Sequence, residues 1–417
     1  METESVGQVK RVRCCVAGGG PAGVMVGFLL ARAGIATLVL EKHRDFLRDF
    51  RGDTVHPSTL EVMAELGLLD SLLAIRHQEL REIHAQIGDT EIQLADFSHL
   101  STRCRFLAFM PQWDFLEFLA AQGRRYPELE LRLQAEVKDV VEEEGRVTGV
   151  LVESPEGTSQ IAADLVIAAD GRHSTVRARA GLEVEDLGAP IDALWMRLSK
   201  RPQDPPQSLG RFNFGRLLIM LDRGDYWQCG YVIRKGRFGE LQARGIESFR
   251  GDLAKVAPFL GDRLRELESW DDVKLLSVAV DRLKRWWKPG LLCIGDAAHA
   301  MSPIGGVGIN LAIQDAVAAA NLLARPLLEG RLSTRHLEAV QRRRMFPTRV
   351  TQRIQVILQE RVLDRVLDRD EPVQAPWPLR LFNRWPWLRR IPPRVIGVGV
   401  RPEHVRSPAR DGGAAAG

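Results

Sequence analysis

The residues with the clearest chemistry lie near the N-terminus, where Gly18-Gly19-Gly20-Pro21-Ala22-Gly23 fits the pattern G-x-G-x-x-G. Such a turn accommodates the pyrophosphate of a dinucleotide. Gly18 permits a tight turn, Gly20 lets phosphate approach the backbone, and Gly23 lets a helix lie close to the preceding strand. The helix N-terminus that follows Pro21, from Ala22 on, offers free N–H groups and the positive end of a dipole. Glu41 follows about twenty residues later, where a carboxylate can accept hydrogen bonds from ribose hydroxyls. Glycine-rich turns also arise for steric reasons alone. Here the turn follows a strand, opens a helix and is paired with Glu41, which favours dinucleotide binding without distinguishing NAD from FAD.

The elements that must position this turn are legible around it. Val12–Ala17 reads as a short buried strand, Ala22–Arg32 as a helix stopped at Gly34, and Ala36–Leu40 as a second buried strand,. Strand, glycine turn, helix and strand make a βαβ unit. Asp164–Ala169 and Leu291–Ile294 read as two further buried strands, ending in Asp170-Gly171 and Gly295-Asp296. The C-terminal ends of such strands are where open α/β sheets bind ligands. Between Asp186 and Val280 the texture becomes that of an antiparallel sheet, with strands at Arg216–Met220, Tyr226–Gly230 and Tyr231–Arg234. Val307–Leu323 reads as a long helix of small residues and Thr334–Leu367 as an Arg-rich helix. After Pro372 the chain is rich in Pro, Trp and Arg, and Asp411–Gly417 reads as a disordered tail.

Composition sets broad limits. A chain of 417 residues is too long for one compact core, and 45% hydrophobic with 27% charged residues is ordinary for a globular protein,. A net charge of +4, from 58 basic and 54 acidic residues, is too weak to argue for nucleic acid,. Cys14, Cys15, Cys104, Cys229 and Cys293 form no C-x-x-C pair and no metal-ligand spacing, so a reducing cytoplasm is expected and no metal,. The polar, acidic start lacks the apolar core of a signal peptide. The apolar run Val12–Leu40 is broken by its glycines and Arg32, so no stable membrane insertion is expected.

Two later segments carry a resemblance. Asp164–Arg177 reads D-L-V-I-A-A-D-G-R-H-S-T-V-R, and Gly295–Asn310 reads G-D-A-A-H-A-M-S-P-I-G-G-V-G-I-N. Together with the glycine turn, they resemble the three fingerprints of the single-component, group A flavoprotein monooxygenases, the para-hydroxybenzoate hydroxylase-like family. The resemblance spans Val12–Leu323. It implies an α/β fold, in which a Rossmann-type FAD-binding domain carries an inserted antiparallel β-sheet substrate domain and a helical C-terminal region. The expected division is residues 1–185 and 281–330 for FAD, with an excursion near 80–110 to the substrate domain. Residues 186–280 then form the substrate domain and 331–417 the helical region. At 417 residues a simple two-domain member is expected, without the thioredoxin-like third domain of some phenol hydroxylases.

The family also implies a chemistry: FAD as cofactor, NADH or NADPH as transient electron donor, and hydroxylation of an aromatic small molecule by O2 through a flavin C4a-hydroperoxide. By the same resemblance, Asp296 bonds a ribityl or ribose hydroxyl of FAD. Pro303, Gly306, Val307, Gly308, Ile309 and Asn310 bring a helix start to the flavin N1–C2=O edge, where negative charge appears on reduction. Asp170 and Gly171 lie on the pyrophosphate side and are linked with nicotinamide use. Arg51 and Gln112 match flavin-contacting polar positions, and Val137 matches a backbone contact to the adenine. No motif carries over a catalytic residue.

Other readings stand beside these. Asp296 can be a helix cap and Asp170 a turn residue. His299 is favoured as structural over a base, and Arg48 is either a flavin-side cation or a solvated charge. Trp195, Arg197, Phe212, Phe214, Tyr226, Trp227 and Tyr231 are candidate substrate walls, although alternation turns about half of such residues the other way. An isoprenoid reductase is the main enzyme alternative. A halogenase is weaker, because Trp385-Pro386-Trp387 lies at the wrong end of the chain, where these tryptophans read as anchors of the tail. A non-catalytic flavoprotein docking through its basic C-terminal region on a membrane or partner is a third alternative, with a solvated Arg-rich helix preferred for that region. The oligomeric state is monomer or homodimer.

Overall fold

The structure is a computed structural model that describes residues 9–47, 54–205, 209–360, 367 and 374–410. The chain opens with β1 (Lys10–Ala17), α1 (Pro21–Arg32) and β2 (Thr37–Leu40), followed by α2 (Pro57–Glu65) and the hairpin β3 (Glu82–Ile87) and β4 (Thr90–Asp96). Next come α3 (Gln112–Gly123), β5 (Leu129–Arg132) and a meander of β6 (Glu136–Glu143), β7 (Arg146–Ser154) and β8 (Gly157–Ala168). A second group holds β9 (Ile191–Ser199), β10 (Leu209–Asn213), β11 (Arg216–Asp222), β12 (Tyr226–Arg234), α4 (Ile246–Val256) and β13 (Lys274–Leu276). The chain then returns through β14 (Leu291–Cys293) to α5 (Gly308–Leu328), α6 (Thr334–Leu358) and α7 (Trp377–Arg384).

The first sheet has the parallel order β14-β8-β1-β2-β5, with β7 joined antiparallel to β8 and β6 antiparallel to β7. Helices cover it, which is why Cys14–Ala17 are buried to the last residue and read as an unbroken apolar run,. On one side β1 pairs with β2, its immediate successor; on the other it pairs with β8, which arrives over a hundred residues later. The winding therefore reverses at β1, and the glycine turn sits at the crevice this creates.

Close approach explains the glycines there. Gly18 has φ +104°, and a Cβ on it would lie 2.3 Å from the Ala169 carbonyl oxygen. A Cβ on Gly23 would lie 1.8 Å from the Gly18 carbonyl oxygen. Helix α5 is long and apolar enough to cross a membrane, but 83% of its apolar window is buried inside the protein, where it packs on α1.

The second sheet runs β13-β9-β12-β11-β10-β3-β4. It is antiparallel except where β10 meets β3 in parallel, because the β3–β4 hairpin joins from a distant part of the chain. Tyr226–Arg234 is one continuous strand rather than the two expected, and Gly230 within it leaves room for the Trp195 ring. One face of the sheet packs Leu194, Met196, Leu218, Trp227 and Tyr231 against Phe249 and Leu253 of α4. The other face brings Ile191, Leu217 and Val232 against Ile304.

Period-two alternation thus removes Trp227 and Tyr231 from the candidate substrate wall: they are core. Trp195 and Phe212 lie on the opposite face. Arg197 stacks on Tyr226 at 3.8 Å near the sheet's edge, and Phe214 sits in a tight turn at φ +48°. Trp385 and Trp387 do not anchor the tail: both are exposed. The tail itself, 411–417, lies outside the described residues.

Two helical glycines give opposite expectations. Gly23→Ala forces backbone apart and is expected to cost about 3 kcal/mol in denaturant titration. Gly251→Ala, in α4 with nothing within 4 Å of the new Cβ, is expected to stabilise by about 0.5–1 kcal/mol. Equal effects of the two would refute the packing argument.

Candidate active site

Three strand ends converge on the crevice. At the first, the Gly19 amide donates to Glu41 Oε2 at 2.9 Å and the His43 amide donates to Oε1 at 3.1 Å, which fixes the carboxylate beside the turn. Helix α1 starts without a side-chain cap or an acidic residue in its first turn, and a Cβ on Gly20 would meet nothing within 4 Å. Uncapped amides facing open space are what an anion needs. The Ala135 amide donates to the Glu41 carbonyl at 2.9 Å, so Val137 at the start of β6 lies on the same side.

At the second strand end, Asp170 Oδ1 accepts from the Ser174 hydroxyl at 2.5 Å and Oδ2 from the Val176 amide at 3.1 Å. Burial pushes this carboxyl up, against the pull of those bonds. Asp170 thereby braces the short turn of helix at Thr175–Arg179. Its Cα would lie 2.8 Å from a Cβ on Gly18, so it backs the phosphate turn directly. Gly171, at φ +87°, has open space around it.

The third strand end leads into Gly295–Asn310. Gly295, at φ +58°, is wedged between helices: a Cβ there would lie 3.1 Å from Ala22 Cβ of α1 and 3.4 Å from Ala312 Cβ of α5. Asp296 accepts from Arg172 Nη2 at 3.4 Å, linking the second and third strand ends. After Pro303, Gly305 and Gly306 take positive φ, and α5 begins without a side-chain cap or an acidic first turn. A Cβ on Gly308 would meet nothing within 4 Å. Val307 and Ile309 are buried, and Asn310 turns inward: its Oδ1 accepts from the Ser58 and Thr59 hydroxyls, each at 2.8 Å. Gln112 starts α3 just after Leu107–Phe109, which pairs with Thr54–Val55, and Thr54 in turn packs on Gly306. Arg51, like Arg48, lies outside the described residues.

The chain holds this loop with groups that motif reading passes over. Asp315 of α5, wholly buried, accepts from the Gly295 amide at 3.0 Å, His299 Nε2 at 2.6 Å and Arg344 Nε at 2.8 Å. Burial alone would raise its carboxyl, but the His299 and Arg344 partners outweigh that and hold it below its ordinary value. His299 is 1% exposed and lies 4.9 Å from the Trp286 ring, a structural placement rather than that of a base facing substrate.

Along α6 a buried polar stripe follows. Gln352 Nε2 donates to the Asp281 and Ala300 carbonyls, and Gln355 Nε2 to those of Ser302 and Ile304. Gln359 Nε2, one residue beyond the helix, donates to Ser302 Oγ at 2.6 Å. The signal was present as Arg344, Thr348, Gln352, Gln355 and Gln359, spaced to share one helical face.

His56 is the other omission. Its Nε2 lies 3.0 Å from the Gly306 carbonyl oxygen and its Nδ1 3.0 Å from that of Ile396. It joins α2, the glycine loop and the C-terminal segment.

Comparison with known proteins names this arrangement. Residues 11–354 match the FAD binding domain family. A 6-methylpretetramide 4-monooxygenase of Streptomyces rimosus is 32% identical over 395 residues, 94% of each chain. The chain belongs to this family of group A FAD-dependent aromatic monooxygenases. A para-nitrophenol 4-monooxygenase of Pseudomonas sp. strain WBC-3 is 27% identical over 345 residues, 79% of this chain and 82% of that one. The structure of OxyS anhydrotetracycline hydroxylase from Streptomyces rimosus shares the fold with a TM-score of 0.70 at 23% identity, covering 93% of this chain and 76% of that chain. The uncapped starts of α1 and α5, with open space at Gly20 and Gly308, fit a cofactor with a pyrophosphate at one end and a ring that gains negative charge at the other,.

Burial pushes the His56 imidazole down to about 4, although its two carbonyl partners pull the other way. The unfolded chain takes up this proton near pH 6.5 and the folded one does not. Stability from this residue is therefore complete above pH 6.5 and is lost as pH falls toward 4. Urea titrations of the parent are expected to lose about 2 kcal/mol between pH 6.5 and 5 that His56→Gln does not lose. Parallel curves for the two proteins would contradict a buried neutral imidazole.

Proposed function

We propose that this monooxygenase hydroxylates a fused-ring, phenolic, polyketide-like molecule, with electrons from NADH or NADPH. The observation that carries the substrate class is the end-to-end similarity to the 6-methylpretetramide 4-monooxygenase. The face of the second sheet that bears Leu217 and Val232, packed against Ile304 of the glycine loop, supports it. Trp195 extends that face, whereas Phe212, on the same side, is covered by Leu379 and Phe382. Leu217, Val232 and Trp195 together offer a flat apolar floor suited to a planar ring system.

In this reading the turn Gly18, Gly20, Pro21, Ala22 and Gly23 holds the FAD pyrophosphate, with the amides of Gly20, Ala22 and Gly23 as donors, Pro21 setting the helix start, the Gly18 amide closing the turn on the Leu40 carbonyl, and Asp170 and Gly171 behind them,. Glu41 serves the ribose, Val137 borders the adenine, and Asp296 takes a ribityl or ribose hydroxyl. Gln112 borders the flavin side, where the family resemblance also assigns Arg51. Bound FAD supplies hydride acceptance from the nicotinamide and the activation of O2. The amides of Val307, Gly308, Ile309 and Asn310 stabilise negative charge on the reduced ring, while the Gly306 amide closes the approach turn on the Pro303 carbonyl at 3.0 Å,. The second sheet excludes water and orients the substrate ring.

The test is an anaerobic spectrum of the purified protein, titrated with NADH or NADPH and a panel of phenols. A yellow protein whose flavin bleaches severalfold faster with a fused-ring phenol than with a single-ring phenol agrees with the proposal. Equal stimulation by all phenols would remove the substrate class. A protein that binds no FAD would remove the cofactor assignments as well.

A further inference from the structure

From Pro372 to Pro402 the sequence holds no acidic residue, yet it carries Arg380, Arg384, Arg389, Arg390, Arg394 and Arg401 and three of the chain's nine tryptophans. Helix α7, within this segment, has two faces. Leu379 and Phe382 pack with Ile87, Ile92 and Phe212. Asn383 Nδ2 donates to the Glu91 carbonyl at 2.8 Å, and Arg389 Nη1 to Gln93 Oε1 at 2.5 Å. The segment is therefore pinned to the β3–β4 hairpin and does not hang free.

Its other face points to solvent. Trp377, Arg380 and Arg384 share one side of the helix at spacings of three and four, and all are exposed,. Trp385, Trp387, Ile391, Arg390 and Arg394 continue the exposed surface beyond it. Trp377 is 73% exposed, Trp387 58% and Trp385 49%. Neither Arg384 nor Arg394 has a carboxylate within ion-pair distance among the described residues. Three indoles exposed over about half or more of their surface, beside guanidinium groups that have no carboxylate partner among the described residues, are not core, and the flavin crevice does not use them,.

We propose that this face docks the protein peripherally on an anionic lipid surface. Indoles settle at headgroup depth because they combine an apolar body with one N–H donor, and guanidinium groups take lipid phosphates bidentately. A polybasic stretch adds attraction to an anionic leaflet that weakens with salt. A two-fold contact with a second copy is opposed by charge, since each arginine would meet its own equivalents. An acidic protein partner would need a cleft shaped to three projecting indoles, whereas a headgroup layer accepts them without shape matching. The inference does not depend on which ring system the enzyme oxidises.

The experiment is co-sedimentation of the full FAD-loaded chain with sucrose-loaded vesicles. One set contains phosphatidylglycerol and phosphatidylcholine, the other phosphatidylcholine alone, each at low and high salt. Pelleting with the anionic vesicles that fades with salt is expected. A triple variant, Trp377→Ser with Trp385→Ser and Trp387→Ser, is expected to retain FAD and lose partitioning by about tenfold or more. The double charge reversal Arg384→Glu with Arg394→Glu should lose it too, which provides a second reading should the triple variant misfold. Equal pelleting with neutral vesicles, or unchanged pelleting of the variants, would overturn the proposal. So would self-association, or binding to an acidic protein resin, that is abolished by the variants while vesicles are ignored.

Discussion

The carboxylate of Asp315 is the constraint on which the cofactor crevice depends. It lies in the interior of α5 and takes the Gly295 amide, His299 and Arg344 at once. A buried carboxylate without such partners is expensive, and here they come from the Gly295–His299 loop and from α6,. The same group thus fixes where β14 ends, how the following loop leaves it, and where α6 crosses α5. Arg344 extends the arrangement to the C-terminal segment by donating to the Arg401 carbonyl at 3.3 Å and pairing with Glu403.

Close packing does the rest. Gly18, Gly23 and Gly295 stand where backbones come too near for a side chain, and the alanines Ala22 and Ala312 face Gly295 from two helices. Helices α1 and α5 can therefore lie side by side on the sheet with their N-termini at the same edge. Two uncapped, acid-free helix starts then border one crevice. One suits a fixed pyrophosphate charge and the other suits a charge that comes and goes with the redox state. In the second sheet, period-two alternation separates a helix-packed face from one turned toward Ile304,.

Much of this was legible in the sequence. The βαβ unit, the strand ends at Asp170 and Asp296 and the long small-residue helix are local patterns, and local patterns survive tertiary context when glycine or burial enforces them. What escaped was polar and long-range. His56 is contacted by residues more than two hundred positions away. The Gln352, Gln355 and Gln359 stripe lies in a segment that reads only as an Arg-rich helix, although its spacing marks a buried face. Trp227 and Tyr231 were indistinguishable from Trp195 and Phe212 by residue type, since only strand pairing decides which face each takes. Trp385 and Trp387 read as anchors of the tail, whereas the structure leaves both exposed in an Arg-rich, acid-free neighbourhood.

The central claim is that this chain uses flavin to place one atom of O2 on an aromatic ring. Turnover under 18O2, with mass spectrometry of the product, tests it most directly. The account predicts a product heavier by a single 18O atom on the ring, with none taken from labelled water. A product that gains only hydrogen, or whose oxygen comes from water, would contradict it.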